Sequence, residues 1–311
     1  MERLKLFHRD VLAIRSHQWK YYVEPYSGCA LQCTYCLNWE SPAFVERLDP
    51  PEDLLAGVER DLAAMPKKQI VYIGLTIDPY QMLERKVRAT RQILERLVRH
   101  ELPVVILTKS PLILRDMDLL LELNSRDLVL VQFTVLTTNP VNARVIERGA
   151  PAVAERLRAA SELTAAGIPV HFHLSPVIPG LYDDGELQAT VRAIAEHGGQ
   201  CIYSNILGLR HLNTKVWFDS VEKLPSGVAE RTRAAYIRTG NPDKRVYSPD
   251  IDLIHDEMSR LSGICRSNHI DFICEFIPGL DVFDPARFER GIFRFGLPAV
   301  YQMARVFEAP P

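Results

Sequence analysis

The 311-residue sequence has no apolar run approaching the ~18 to 20 residues of a membrane span, and its start, Met1-Glu2-Arg3-Leu4-Lys5, has neither an apolar signal core nor a small-residue cleavage site. The expectation is a cytoplasmic protein with no membrane association. It has no excess of either charge: 37 Lys and Arg stand against 39 Asp and Glu, a net charge of −2, too balanced to neutralise a polyanion without a segregated basic face. No strand-like run is followed by the G-x-G-x-x-G turn of dinucleotide binders. Six cysteines would suffice for three disulfides, but three of them crowd into residues 29–36, which is no disulfide framework for a chain long enough to stabilise itself by burial.

What is present is an ordinary globular composition, 47% hydrophobic and 24% charged, arranged with a clear period. Short β-branched or aromatic runs at 20–26, 69–75, 103–108, 127–135, 169–175 and 200–207 alternate with helical segments at 52–65, 83–100, 115–124, 152–166 and 184–197. Six βα units of this kind form either a doubly wound parallel sheet or an incomplete parallel barrel. The polar inward faces described below favour the barrel. The expected architecture is therefore α/β: residues 1–19 as an N-terminal segment, an incomplete (β/α)6 parallel barrel, or partial TIM barrel, over 20–210, and a C-terminal α/β extension over 211–311. That extension covers the barrel opening and contains a helix at 249–268, a short strand at 269–276 and a tail rich in Phe and Arg.

The crowded cysteines, Cys29-Ala30-Leu31-Gln32-Cys33-Thr34-Tyr35-Cys36, follow the first strand, at the end where βα loops carry chemistry in parallel barrels. A structural zinc needs a fourth ligand, and no second C-x2-C or His pair follows locally. A 4Fe-4S cluster held by three thiolates leaves one iron open to a small ligand.

This spacing resembles the C-x3-C-x-aromatic-C motif of the radical S-adenosylmethionine (SAM) superfamily. Further along, Tyr26-Ser27-Gly28-Cys29, Thr76-Ile77-Asp78-Pro79-Tyr80-Gln81, Leu107-Thr108-Lys109-Ser110-Pro111 and Pro176-Val177-Ile178-Pro179-Gly180-Leu181 resemble successive strand-end motifs of its spore photoproduct lyase-like branch. The resemblance implies that Cys29, Cys33 and Cys36 ligate a 4Fe-4S cluster and that SAM chelates the fourth iron. It places Tyr35 and Ile178 against the adenine and Lys109 on the SAM carboxylate. The implied protein is a radical SAM enzyme fed by a one-electron donor of flavodoxin or ferredoxin type.

The residues themselves add to this reading. Gly74-Leu75-Thr76 at the end of the second strand allows close backbone approach and offers a hydroxyl, so Thr76 is a candidate for the SAM ammonium, although many members of the superfamily carry Gly-Gly-Glu there. Thr134 and Thr137, near the end of the fourth strand, are candidates for the ribose or the ammonium, with ordinary β-branched strand packing as the alternative. Along the fifth strand Val170, Phe172 and Leu174 take one side of the pleat, leaving His171, His173 and Ser175 on the other. With Gln132 on strand four and Tyr203 and Asn205 on strand six, these histidines read as a polar lining for substrate, or else as satisfied core groups.

Cys265 and Cys274 read as buried small hydrophobes or, as in photoproduct lyases and radical SAM epimerases, as a thiol returning hydrogen to a substrate radical. Cys274 ranks ahead because its strand leads toward the barrel opening, whereas Cys201 points away from the reactive end. Leu37 stands where photoproduct lyases carry a second tyrosine. That substitution and the balanced charge favour a small-molecule or peptide substrate, as in epimerisation or rearrangement, over repair of a DNA lesion. A non-catalytic metal-binding module is the remaining alternative.

Overall fold

In the computed structural model the described residues are 21–40, 48–65, 69–239 and 246–274. The expected N-terminal segment and the Phe- and Arg-rich tail lie outside them. Six short parallel strands form in the expected order: β1 (Tyr22–Val23), β2 (Val71–Ile73), β3 (Val104–Thr108), β4 (Val129–Thr134), β5 (Val170–His173) and β6 (Cys201–Ser204). Each is narrower than its apolar run because the flanking residues turn into the loops.

The sheet differs from expectation at one edge. Two short strands, β7 (Leu209–Arg210) and β8 (Tyr236–Thr239), pair antiparallel with β9 (Val246–Pro249), and the chain then returns through the helix Ile251–Ser267 to β10 (Asp271–Cys274). β10 pairs parallel with β6, so the main sheet has seven strands in the order β1-β2-β3-β4-β5-β6-β10 and stays open. The extension thus contributes a strand to the barrel and is no separate layer. Between β6 and β9, where no element is expected from the sequence, the chain forms the helices His211–Val221 and Ser226–Ala234.

The alternation of the strands sets two different faces. Val104, Ile106, Val131, Phe133, Phe172 and Phe272 join helix residues such as Leu94, Leu97, Leu120 and Leu163 in the main hydrophobic cluster. Their neighbours Tyr22, Tyr72, Val105, Leu130, Tyr203 and Ile273 are just as buried but stand outside that cluster, on the concave side. Among the described residues, no helix is long and apolar enough to cross a membrane.

Candidate functional site

The loop after β1 is held from two directions. On one side its backbone runs against the segment after the helix Pro140–Ile146: Thr34 N–H donates to Ile146 O at 2.8 Å, Gly149 N–H donates to Leu31 O at 2.8 Å, and Cys33 bridges Glu147. Gly149 is required there, since a Cβ would lie 2.5 Å from Ala30 O. On the other side Gln81 grips the loop with both ends of its amide, donating to Gly28 O and accepting from Ala30 N–H, each at 2.9 Å.

That grip explains the Asp78-Pro79-Tyr80-Gln81 segment. Asp78 accepts from Tyr80 N–H and the Thr108 hydroxyl, each at 2.9 Å, and from Lys109 N–H at 2.7 Å, which locks the turn after β2 onto the end of β3. Gly74 makes the turn possible, with φ of +88° and no room for a Cβ against Leu107 O at 2.3 Å. Beneath it the buried carboxylates Glu84 and Asp116 receive Tyr26, Tyr80, Arg91 and Arg115.

The three loop cysteines are free thiols, Cys29 and Cys33 buried and Cys36 partly so. Burial pushes Cys29 up to about 11 and Cys33 up to about 12, and raises Cys36 too. Only the charge of a bound metal would hold all three as thiolates at neutral pH. Among the described residues, no three His, Cys, Asp or Glu side chains converge as the ligands of a single ion would. Three mutually interacting thiols on one loop fit a cluster in which each of three irons takes one sulfur.

A buried polar network unforeseen from the sequence stands beside the thiols. Tyr35 OH donates to Glu147 Oε1 at 2.6 Å, and Arg156 pairs with Glu147 Oε2 at 2.5 Å while also donating to Thr134 O and Pro151 O. Lys109 Nζ lies 4.0 Å from Glu147 Oε1 and 5.8 Å from the centre of the Tyr35 ring. Burial alone would lower the Lys109 pKa, but Cys33 and Glu147 outweigh it and hold the ammonium charged. Glu147 likewise stays ionised despite burial because Arg156 and Lys109 face it. The signal in the sequence was Arg156 itself, on the apolar stripe of a helix between Val153 and Leu157 and Ala160, where an unpaired charge would be costly. Asn139-Pro140 was the corresponding sign of the unexpected helix, Asn139 Oδ1 capping Val141 and Asn142 N–H.

The structure brings some of the remaining candidates together and not others. Gln132 pairs in register with His171 and Thr134 with His173, while His173 aligns with Tyr203, so these side chains share the concave face. His173 Nε2 meets Gln132 Oε1 at 3.0 Å, and its ring lies 4.8 Å from that of Tyr203. Burial pushes His173 down to about 3, so the ring is neutral. Asn205 accepts from the Ser175 hydroxyl at 2.7 Å just beyond the end of β6.

Thr76 is exposed, with its hydroxyl committed to Glu24. Thr137 is committed to Glu186 in the cap of the helix Pro140–Ile146, and Ile178 is buried in the same hydrophobic cluster as Cys29, Cys33 and Tyr35. Neither extension thiol reaches the concave face. Cys265 packs with Met258 and Leu261, as its helix face foretold, and Cys274 pairs with Ser204 one residue past the Tyr203–Ile273 row, on the face of Phe272. Cys201, set aside in the sequence reading, is the buried thiol on the Tyr203 side of β6.

Comparison with known proteins gives a consistent result. The model of the Radical SAM superfamily matches residues 23–194. An uncharacterized protein of Mycobacterium tuberculosis is 30% identical over 213 residues, covering 64% of this chain and 62% of its own length. Another, from Methanocaldococcus jannaschii, is 31% identical over 175 residues, covering 53% of this chain and 62% of its own. The chain therefore spans about three fifths of the length of the curated relatives it matches. Spore photoproduct lyase complexed with dinucleoside spore photoproduct superposes with a TM-score of 0.63 at 14% identity, covering 86% of this chain and 79% of that one. A variant of that lyase with bound AdoMet and dinucleoside spore photoproduct gives 0.61 at 14%, covering 82% and 76%. At such identity the likeness is one of fold.

Proposed function

The chain belongs to the radical SAM superfamily, and from that membership we propose that Cys29, Cys33 and Cys36 each hold one iron of a 4Fe-4S cluster, with SAM at the fourth, to start hydrogen abstraction from a small-molecule or peptide substrate. When bound, the reduced cluster supplies one electron to the SAM sulfonium and so yields the 5'-deoxyadenosyl radical. The observation that carries this reading is the donor set: three free thiols, two buried and one half-buried, on the loop after β1, with the charged Lys109 beside them.

In this reading Lys109 binds the SAM carboxylate, and Glu147, itself held in place by Arg156, helps to keep Lys109 charged. Tyr35, fixed through its hydroxyl to Glu147, offers its ring face to the adenine. Gln132, Thr134, His171, His173 and Tyr203 line the substrate side with polar groups, His173 being neutral, a surface suited to a small polar ligand. Asn205 extends that lining, and a flavodoxin- or ferredoxin-type protein serves as electron donor. The near-zero net charge, with no segregated basic face in the sequence pattern, speaks for a small molecule or peptide ahead of a DNA lesion.

The test is anaerobic incubation of reconstituted protein with SAM and dithionite. Formation of 5'-deoxyadenosine is expected, and deuterium from one labelled member of a metabolite, peptide and oligonucleotide panel should appear in it. Methionine release that depends on neither cluster nor reductant would defeat the proposal.

A further inference from the structure

Among the described carboxylates around the cysteine loop, Asp78, Glu84 and Glu147 have both oxygens engaged by protein donors. Glu24, the residue after β1, does not. Its Oε1 accepts from both Thr76 N–H at 2.8 Å and the Thr76 hydroxyl at 3.0 Å, while Oε2 is buried with no hydrogen-bond partner. The amide of Ile77 faces the same carboxylate without closing a hydrogen bond to Oε2.

Position adds to chemistry. Val23 joins the cluster on the helix side of the sheet, so alternation turns Glu24 to the concave side with Tyr22. Glu24 is also tied to the thiols: the Thr76 carbonyl accepts from Asn38 Nδ2 at 2.9 Å, and Asn38 N–H donates to Cys36 Sγ at 3.4 Å. A buried carboxylate oxygen on which no hydrogen bond closes is stable only with a proton or a cation upon it. Burial pushes Glu24 up to about 8, the behaviour of an acid waiting for a counter-charge.

The methionine end of SAM is a zwitterion, and Lys109 answers only its carboxylate. Resting on the function proposed above, we infer that Glu24 receives the ammonium group of SAM on Oε2 and that Thr76, read from the sequence as the ammonium partner, positions Glu24 by holding Oε1. The first strand then supplies the acid and the third the base, and the two grip the amino acid from opposite charges.

The experiment measures binding, not turnover. Equilibrium dialysis on anaerobically reconstituted protein compares SAM with its desamino analogue, in which hydrogen replaces the amino group. Wild type should prefer SAM by on the order of tenfold to a hundredfold. Glu24→Gln keeps an acceptor for Thr76 but carries no charge, so the preference should fall towards unity at unchanged iron content. Equal binding of both ligands by wild type would overturn the assignment even if the variant proved unable to fold. A full preference for SAM retained in Glu24→Gln would overturn it as well, leaving the proposed function standing, whereas no SAM binding by wild type would remove both.

Discussion

On the helix-facing side of the sheet, β3, β4 and β5 present Ile106, Val131, Phe133 and Phe172. On the concave side the same strands present Leu107, Gln132, Thr134, His171 and His173. Both faces are buried, yet one is a continuous apolar surface and the other grows polar from β4 onward. An apolar face needs only residues of the right size and period, and many would do. A polar face removed from water is costly unless each group is met by a partner, so its residues are far less interchangeable. The first face makes the fold and the second lines the proposed site, and neighbouring residues of one strand serve different ends.

The contrast can be broken most severely at the cysteines. Cys29→Ala, Cys33→Ala or Cys36→Ala should each abolish 5'-deoxyadenosine formation, because two thiolates cannot hold a cuboid with one iron open. Cys201→Ala, Cys265→Ala and Cys274→Ala should retain it in an assay without substrate; loss in any of these three would show that the ligand set is wrongly drawn. Next in size is Phe172→Ala on the helix-facing side, which should cost about 3–5 kcal/mol in denaturant unfolding, since Phe172 is fully buried against Phe133. A cost below ~1 kcal/mol would mean that this face is not the core.

Lys109→Ala sharpens the comparison from the other side. It should weaken SAM binding on the order of tenfold to a hundredfold, with iron content and midpoint of unfolding nearly unchanged. Unchanged affinity would remove Lys109 from the site. The smallest effect at neutral pH belongs to His173, whose pKa burial pushes down to about 3 against an ordinary value near 6.5. Its folded pKa is depressed, so the unfolded chain takes up the proton first. Stability intact above about pH 6.5 is then lost as pH falls toward 3, by about 1.4 kcal/mol per unit. His173→Asn should flatten that acid slope by about this amount, and an identical slope in both proteins would show that His173 is not held neutral.

The same division decided what was legible in the sequence. Period-2 and period-3.6 patterns located the six barrel strands and their helices, because the helix-facing side is written in apolar residues at fixed spacing. The His171–His173 alternation was readable for the same reason. The role of β10 was not, since four residues carry no sign of which sheet they join, and its register put Cys274 on the helix side where an isolated strand could have faced either way. The helix over residues 83–100 breaks at Arg88, where φ is +56°, and nothing in the periodicity announces it. The network around Lys109 was hidden by distance in the chain: Tyr35, Lys109, Glu147 and Arg156 meet only after the loop and three strands have assembled. Glu24 was passed over because one carboxylate after a strand is unremarkable until both of its oxygens can be followed.

The central claim is that the loop thiols, and no others, hold an iron-sulfur cluster. It is tested most directly by iron and acid-labile sulfide per chain after anaerobic reconstitution, in wild type and in Cys36→Ala. The account predicts about four of each in wild type and close to none in the variant. Zinc without sulfide in wild type, or a full complement of iron and sulfide in Cys36→Ala, would contradict it.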